Sequence, residues 1–458
     1  MNKKSPKKSP KKDPKVMIRS TFHYFRKIAN LGKLDSLDKF IQEYRCAVLL
    51  CVNYIWDMKL EWGKKDNKKV WDREHDFLDC PSMISTKKID YKGPLSGRAL
   101  KCAATQACGI VRALTKKRQK DLNKRAWLIS KNKIVGKTLQ NRIDKGMTKP
   151  DCQSINCELN SICMDVQFEP DKYFDGFVNF KSLWNKKSKY KKGFSIKIPF
   201  KNYRRSLKWS KIGTLKKSVL LNENSVTLRW AVPKPPKRKE GKILALDQGK
   251  TTCLTLSDGQ KSMKDKHGHD LASIINKMIR KKPGSKAFLR ACAQRKNYIN
   301  WTIKQIDLTG VKELKIENII HINYGRNVSK GLKRWVNTVI RDSFKKACEE
   351  TGVLFTLTGC EFNSQRCSVC GWVQKANRKG KFFKCKHCGH GDDADFNASQ
   401  NILIRDSLYF LPFGFRRHRF NLKGFFWTSE GLFDANGQEL TVPVVPENEL
   451  VHILYDSK

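Results

Sequence analysis

Apolar residues recur along this chain at two different spacings, and the change from one to the other marks its organisation. Met17 to Phe25 alternates as a strand does, and from Leu37 to Leu60 the positions Phe40, Ile41, Tyr44, Val48, Leu49, Val52 and Ile55 repeat at helical spacing. Leu100, Ala103, Ala107, Ile110, Val111 and Leu114 make a further helical face between Gly97 and Ile129. The first third is therefore expected to be mainly helical. Between Asn160 and Val232 the pattern shortens to alternating segments, Cys163–Phe168, Gly193–Ile198 and Val226–Val232, set apart by charged turns, which predicts a small β-barrel or sheet. Pro233, Pro235 and Pro236 then stand among basic residues up to Gly241, the composition of a linker and the strongest domain boundary in the chain.

Beyond that boundary strands and helices alternate, as in an α/β domain. Lys242–Gly249 and Cys253–Leu256 read as adjacent strands, Arg290–Leu308 as a long helix, and Glu313–Glu317 as a strand ending in an acid. Helices are expected from Leu332 to Glu350, then a strand at Val353–Leu357 and a helix at Phe396–Leu403.

Charge narrows the partners. With 93 lysine and arginine residues against 43 aspartate and glutamate, the chain carries +50, a field that attracts a polyanion and exceeds what solubility needs. Nucleic acid is the expected partner. A membrane is not, because no stretch approaches the roughly 20 apolar residues of a spanning helix and the charge is spread along the whole chain. The lysine-rich segment Met1–Val16 is expected to be a disordered basic tail. Candidate nucleic-acid contacts are Lys116, Lys117, Arg118, Lys124, Arg125, Lys186, Lys187, Lys189, Lys191, Lys192, Arg204, Arg205, Arg280, Lys281 and Lys282, interleaved with Tyr190, Phe194, Tyr203 and Trp209. The aromatic and basic stretch Phe410–Phe420 suits either docking on the preceding domain or contact with RNA.

Two constellations carry candidate chemistry. Cys367, Cys370, Cys385 and Cys388 form two C-x2-C pairs, a spacing that closes a tetrahedral thiolate site for one structural zinc ion. His387 and His390 are the nearest substitute ligands. Asp247, Glu317 and Asp395 come from two strand ends and a helix start, the order strand–strand–helix of ribonuclease-H-like nucleases. Phosphodiester hydrolysis by two magnesium ions needs carboxylates converging from separate elements, because the ions take oxygen ligands and sit about 4 Å apart. Asp395 could instead cap its helix, with Asp393 taking its place in the site.

Leu246-Asp247-Gln248-Gly249, Leu314-Lys315-Ile316-Glu317-Asn318, Asn363-Ser364-Gln365-Arg366-Cys367-Ser368-Val369-Cys370-Gly371 and Asp393-Ala394-Asp395-Phe396-Asn397-Ala398-Ser399-Gln400-Asn401-Ile402 stand together in one order. In this the chain resembles TnpB and, more widely, the group that holds the Fanzor proteins and the compact type V CRISPR nucleases. The resemblance covers about Lys242 to Arg405. It implies a multidomain α+β protein, with a helical recognition region inserted in a β-barrel, then a RuvC (ribonuclease-H-like) α/β domain carrying an inserted zinc ribbon. Its parts would be a tail (1–16), first barrel strands (17–35), a helical recognition domain (36–155), the remaining barrel and linker (156–240), the first part of the nuclease domain (241–360), the ribbon (361–391), the last nuclease motif (392–408) and a C-terminal extension (409–458).

The implied activity is an RNA-guided, metal-dependent cut in DNA selected by guide pairing and a short adjacent motif, with Asp247, Glu317 and Asp395 holding two Mg2+ ions. The implied partners are a guide RNA and double-stranded target DNA, with one copy or a homodimer on each guide. Such a protein works in the cytoplasm on the nucleoid of a prokaryote or phage host, or in the nucleus of a eukaryote. Gln248 and Asn363 depart from the usual hydrophobic residue and threonine of the family, and neither removes a carboxylate. Some Fanzor proteins carry the middle glutamate just before the ribbon, where Glu361 lies close by; Glu317 ends the better strand. A guided repressor that does not cut, a carboxylate-triad transposase and a zinc-ribbon transcription or RNA-processing factor are the rival functions.

Overall fold

The computed structural model describes residues 16–57, 89–130, 135–169, 172–185, 195–249, 252–319, 337–409, 411 and 423–440. The expected basic tail up to Lys15, the lysines 186–192 and most of the Phe410–Phe420 stretch lie outside these residues. The chain forms two compact units, Met1–Pro233 and Lys234–Lys458, which divide where the proline-rich segment begins. Among the described residues no helix is long and apolar enough to cross a membrane.

In the first unit β1 (Val16–Tyr24) is followed by helices α1 (Leu31–Asp57), α2 (Gly97–Ser130) and α3 (Lys137–Asp144), then by β2 (Cys157–Asn160), β3 (Met164–Phe168), β4 (Gly176–Lys181) and β5 (Ser195–Phe200). Helix α4 (Arg204–Ile212), β6 (Thr214–Leu221) and β7 (Ser225–Pro233) complete it. The expected barrel is not closed among the described residues. Two open antiparallel sheets, β1-β7-β6-β2 and β3-β4-β5, are not hydrogen-bonded edge to edge. They contribute to one core, with Leu159, Val219 and Leu228 from the first sheet and Val178, Phe180 and Ile198 from the second, against Phe40, Tyr44 and Val48 of α1 and Ala103 and Ala107 of α2. Alternation identifies strands but says nothing of which edges pair. Here the chain leaves the first sheet for the second through the turn at Asn160–Cys163 instead of extending the ladder.

The second unit is built on the sheet β11-β10-β8-β9, formed by β8 (Lys242–Gln248), β9 (Leu254–Leu256), β10 (Val311–Glu317) and β11 (Leu354–Thr358). Strands β8, β10 and β11 are parallel and β9 is antiparallel to β8. Helices α5 (Leu271–Ile279), α6 (Lys286–Gln305) and α7 (Asn337–Thr351) contribute Ile274, Ile275, Ile299 and Phe344 to a core with Leu244, Leu246, Leu314 and Ile316. Short strands β12 (Trp372–Val373), β13 (Arg378–Lys379), β14 (Phe382–Lys384) and β15 (Gly391–Asp393) lead into α8 (Ala394–Leu403). Last come β16 (Phe425–Trp427) and β17 (Leu432–Phe433), and β16 pairs antiparallel with β12. Part of the C-terminal extension therefore docks on the cysteine-bearing segment.

Candidate active site and metal centre

Successive side chains of a strand point to opposite faces. Leu244 and Leu246 enter the apolar core, which leaves Ala245 and Asp247 on the other face of β8. The parallel register that pairs Leu314 with Leu244 and Ile316 with Leu246 carries on one residue to set Glu317 beside Asp247. Helix α8 packs against β8, with Ala394 and Ala398 fully buried, and its first turn supplies Asp395. Gly249 has no side chain where a Cβ would stand 2.6 Å from Thr252 O and 3.8 Å from Asp395 Oδ2. Three carboxylates from three elements thus stand close enough to feel one another's charge, though among the described residues only the four cysteines gather their ligand atoms within 4.8 Å, and Asp247 and Asp395 are only 8% and 3% exposed.

Their electrostatics follow from burial and from one another. Burial pushes the Asp247 carboxyl well above the usual carboxylate range, and the charges of Glu317 and Asp395 push it the same way. Burial also raises Glu317, to about 7, against hydrogen bonds to Asn363 and Asp247 that favour its ionised form. Both shifts have the same origin, two neighbouring carboxylates taken out of water. Asp395 is paired instead with cations of the neighbouring hairpin. Arg378 Nη2 lies 2.8 Å from Asp395 Oδ1, and Lys381 bonds both Asp395 and, at 2.7 Å, Thr252 Oγ1.

The two open alternatives among the acids separate. Asp393 is the cap of α8: its Oδ1 accepts from the amides of Asp395 and Phe396, each at 3.0 Å. Glu361 is 54% exposed at its side chain and pairs with Arg405 at 2.6 Å, while Arg405 lies over the Trp427 ring at 4.1 Å.

The four cysteines come together with their sulfur atoms all within 4.8 Å of one another. Cys367 Sγ is 3.7 Å from Cys388 Sγ and Cys370 Sγ is 3.6 Å from Cys385 Sγ. A disulfide would bring sulfurs to about 2.05 Å, whereas a tetrahedron with metal–sulfur bonds of about 2.3 Å has edges of about 3.8 Å. The observed spacing fits the tetrahedron. Each knuckle closes the same way, with Gly371 N on Cys367 O at 3.0 Å and Gly389 N on Cys385 O at 3.1 Å. Both glycines have positive φ, 82° and 74°, which a side chain would strain. His387 meets Phe426 edge to face with ring centroids 4.7 Å apart, and His390 lies 3.7 Å from Asp392; among the described residues neither joins the cluster.

The basic candidates scatter over the surface of the two units. Lys116, Lys117 and Lys124 are exposed on α2, whereas Arg118 is half-buried and donates to Ile143 O at 2.8 Å. Arg204 and Arg205 are exposed at the start of α4. Lys186, Lys187, Lys189, Lys191 and Lys192, with Tyr190 and Phe194, lie outside the described residues. Trp209 is buried at 2% and is a core residue, while Tyr203 remains 38% exposed. Sequence reasoning missed Asn363 on Glu317, Arg378 and Lys381 on Asp395, and the buried partners of α8. The one signal for the last was Asn397 and Asn401, polar residues four apart beside Ala394 and Ala398.

Comparison with known proteins adds a family. Residues 340–402 match the family described as Cas12f1-like, TNB domain. In this segment the chain is similar to the compact type V and TnpB-like nucleases. It is 32% identical over 104 residues to the CRISPR-associated endodeoxyribonuclease Cas12f1 of Sulfoacidibacillus thermotolerans, a match covering 22% of each protein. It is 38% identical over 65 residues to the putative transposase A625R of Paramecium bursaria Chlorella virus 1, covering 14% of this chain and 15% of that one. The chain thus spans about a fifth or less of the length of these curated relatives in the matched segments. Among solved structures, the mini-RNA-guided endonuclease CRISPR-Cas_phi3 aligns over 84% of this chain and 92% of its own with a TM-score of 0.48 and 11% identity.

Proposed function

We propose that this chain is an RNA-guided DNA endonuclease whose second unit is a RuvC-like nuclease domain, with Asp247, Glu317 and Asp395 as its acidic site. The nearness of these three carboxylates on two parallel strands and the helix packed against them, with a four-cysteine segment inserted in sequence before the third, is the observation that carries the reading. An all-oxygen, acidic donor set suits magnesium, and four thiolates suit one structural zinc ion. Divalent ions bound by the three acids would neutralise charge building on a scissile phosphate.

The protein's own groups do the rest. Asn363 steadies Glu317, Arg378 and Lys381 hold Asp395, and Gly249 keeps the space between β8 and α8 open. The cut DNA would be selected by a guide RNA and a short adjacent motif, with the nucleic acids held by exposed lysine and arginine, among them Lys116, Lys117, Arg204 and Arg205. The relatives' printed names, an endodeoxyribonuclease and a putative transposase, support a DNA substrate. The test is to sequence the RNA that co-purifies with the chain and to incubate the complex with DNA matching it, with and without magnesium. Magnesium-dependent cleavage lost in Asp247→Ala supports the endonuclease. Tight guided binding without cleavage identifies a repressor, and joining of DNA ends a transposase.

A further inference from the structure

Helix α8, which carries Asp395, is tied to the first cysteine knuckle by a network of buried polar side chains. Asn401 Nδ2 lies 3.0 Å from Asn363 O, 2.7 Å from Arg366 O and 3.1 Å from Asn397 O, while its Oδ1 accepts from Arg366 Nη1 at 2.7 Å. Asn397 donates to Arg366 O at 2.8 Å and accepts from Ser368 N, inside the knuckle, at 3.0 Å. Arg366 continues the network to Cys367 O at 3.2 Å and to Trp427 O at 2.9 Å. At its other end Asn363 donates to Gly359 O at 3.0 Å, next to Thr358, which pairs with Glu317 across β10 and β11.

All four side chains are at most 5% exposed. A short helix needs only apolar contact to be packed; three amides and a guanidinium in full hydrogen bonding instead fix its rotation and its height, because any other placement strands buried polar atoms. Two of the three acids depend on this network for their direction: Glu317 through Asn363, and Asp395 through the helix that Asn397 and Asn401 anchor.

We propose that Asn363, Arg366, Asn397 and Asn401 are positioning residues that set Glu317 and Asp395 from the cysteine knuckle, so that divalent-ion affinity at the acids depends on groups that touch no ion there. This rests on the reading of the acids as an ion site. Polar partners that orient ion ligands typically contribute about 10–100-fold in affinity.

The test is a Mn2+ titration of the full-length chain, freed of RNA, followed by electron paramagnetic resonance, with zinc content and melting temperature measured on the same samples. The site in question is the tight one lost in Asp247→Ala. Asn401→Leu and Asn363→Leu are each expected to weaken that site at least tenfold while zinc stays at one per chain, and Asn363→Thr, which keeps a donor, is expected to recover most of the loss. Should Asn401→Leu lose its zinc and unfold, Asn363→Leu decides, because it leaves the side-chain bonds between helix and knuckle in place. Wild-type Mn2+ affinity in the folded variants, even with a lowered melting temperature, overturns the positioning role and leaves the acidic site standing. A tight site that survives Asp247→Ala overturns the ion-site reading, and the positioning role with it.

Discussion

Replacing Glu317 by glutamine should make the protein more stable in magnesium-free buffer while removing its activity. The carboxyl is raised by burial from an ordinary 4.5 to about 7. The sign follows directly: between these values the folded chain binds more protons than the unfolded one, so stability falls as pH rises from about 4.5 and the loss is complete above about 7. At 1.36 kcal/mol per unit the full cost of holding the ionised group is at most about 3 kcal/mol. Glu317→Gln abolishes that cost and keeps the shape and a hydrogen-bonding side chain. Its gain in urea unfolding should therefore be small at pH 5 and reach about 1–3 kcal/mol at pH 8.

Cleavage should fall at least about a hundredfold, equivalent to ~2.7 kcal/mol of transition-state stabilisation. Glu361→Gln is the matched control. Its pair with Arg405 is half in solvent, so the substitution should cost about 0–1 kcal/mol and leave cleavage near wild type. Loss of cleavage in Glu361→Gln with retention in Glu317→Gln would refute the assignment of the middle acid. Destabilisation of Glu317→Gln at pH 8 would refute the electrostatic reasoning.

Other consequences are direct. Cys385→Ser should lower zinc from about one ion per chain and unfold the ribbon locally, since a short segment has little core without its metal; undiminished zinc by elemental analysis would mean other ligands. His23 is 2% exposed, and burial lowers its pKa below the ordinary 6.5, so the unfolded chain takes up a proton that the folded one refuses. Stability of the first unit should therefore fall as pH drops through 6.5 towards the folded value, and His23→Gln should flatten that dependence in urea titrations at pH 5.5 and 7.5. Guide-RNA affinity should weaken steeply with salt, at roughly 0.7–0.9 ion per phosphate contact, and neutralising exposed Arg204 and Arg205 should reduce the slope if they touch phosphate; fluorescence anisotropy reads both.

The nearness of the three acids was legible because each sits where a short-range pattern changes, Asp247 and Glu317 after apolar runs and Asp395 at a helix start, although only the structure shows that Asp393 and not Asp395 is the cap. Parallel register did the rest, and register between like strands is set by apolar faces that the sequence displays. The knuckles were legible for a similar reason, being local turns of cysteine and glycine. Contacts between distant, unpatterned residues were not. Glu361 finds Arg405, and Asn401 finds Asn363, across segments whose packing no local spacing reveals.

Strand β1 misleads in another way: Arg19, Thr21 and His23 face inward and are buried, while Ile18, Phe22 and Tyr24 are 45%, 50% and 75% exposed. Its alternation identified the strand, but its polarity would have turned the wrong face to the core. His23 is accommodated by bonds of 3.0 Å to Thr21 Oγ1, two residues away on its own strand, and to Lys201 O, a partner that only the folded unit brings within reach.

The measurement that bears most directly on the central claim is cleavage after exchange of the guide. The purified chain, loaded with two guide RNAs of different sequence in turn, is incubated with magnesium and a DNA carrying both matching sites. The account predicts that the cut moves with the guide and disappears in Asp247→Ala, Glu317→Ala and Asp395→Ala, while each variant still binds guide and target. A cut at one fixed sequence whichever guide is loaded, or undiminished cleavage in the three variants, would contradict it.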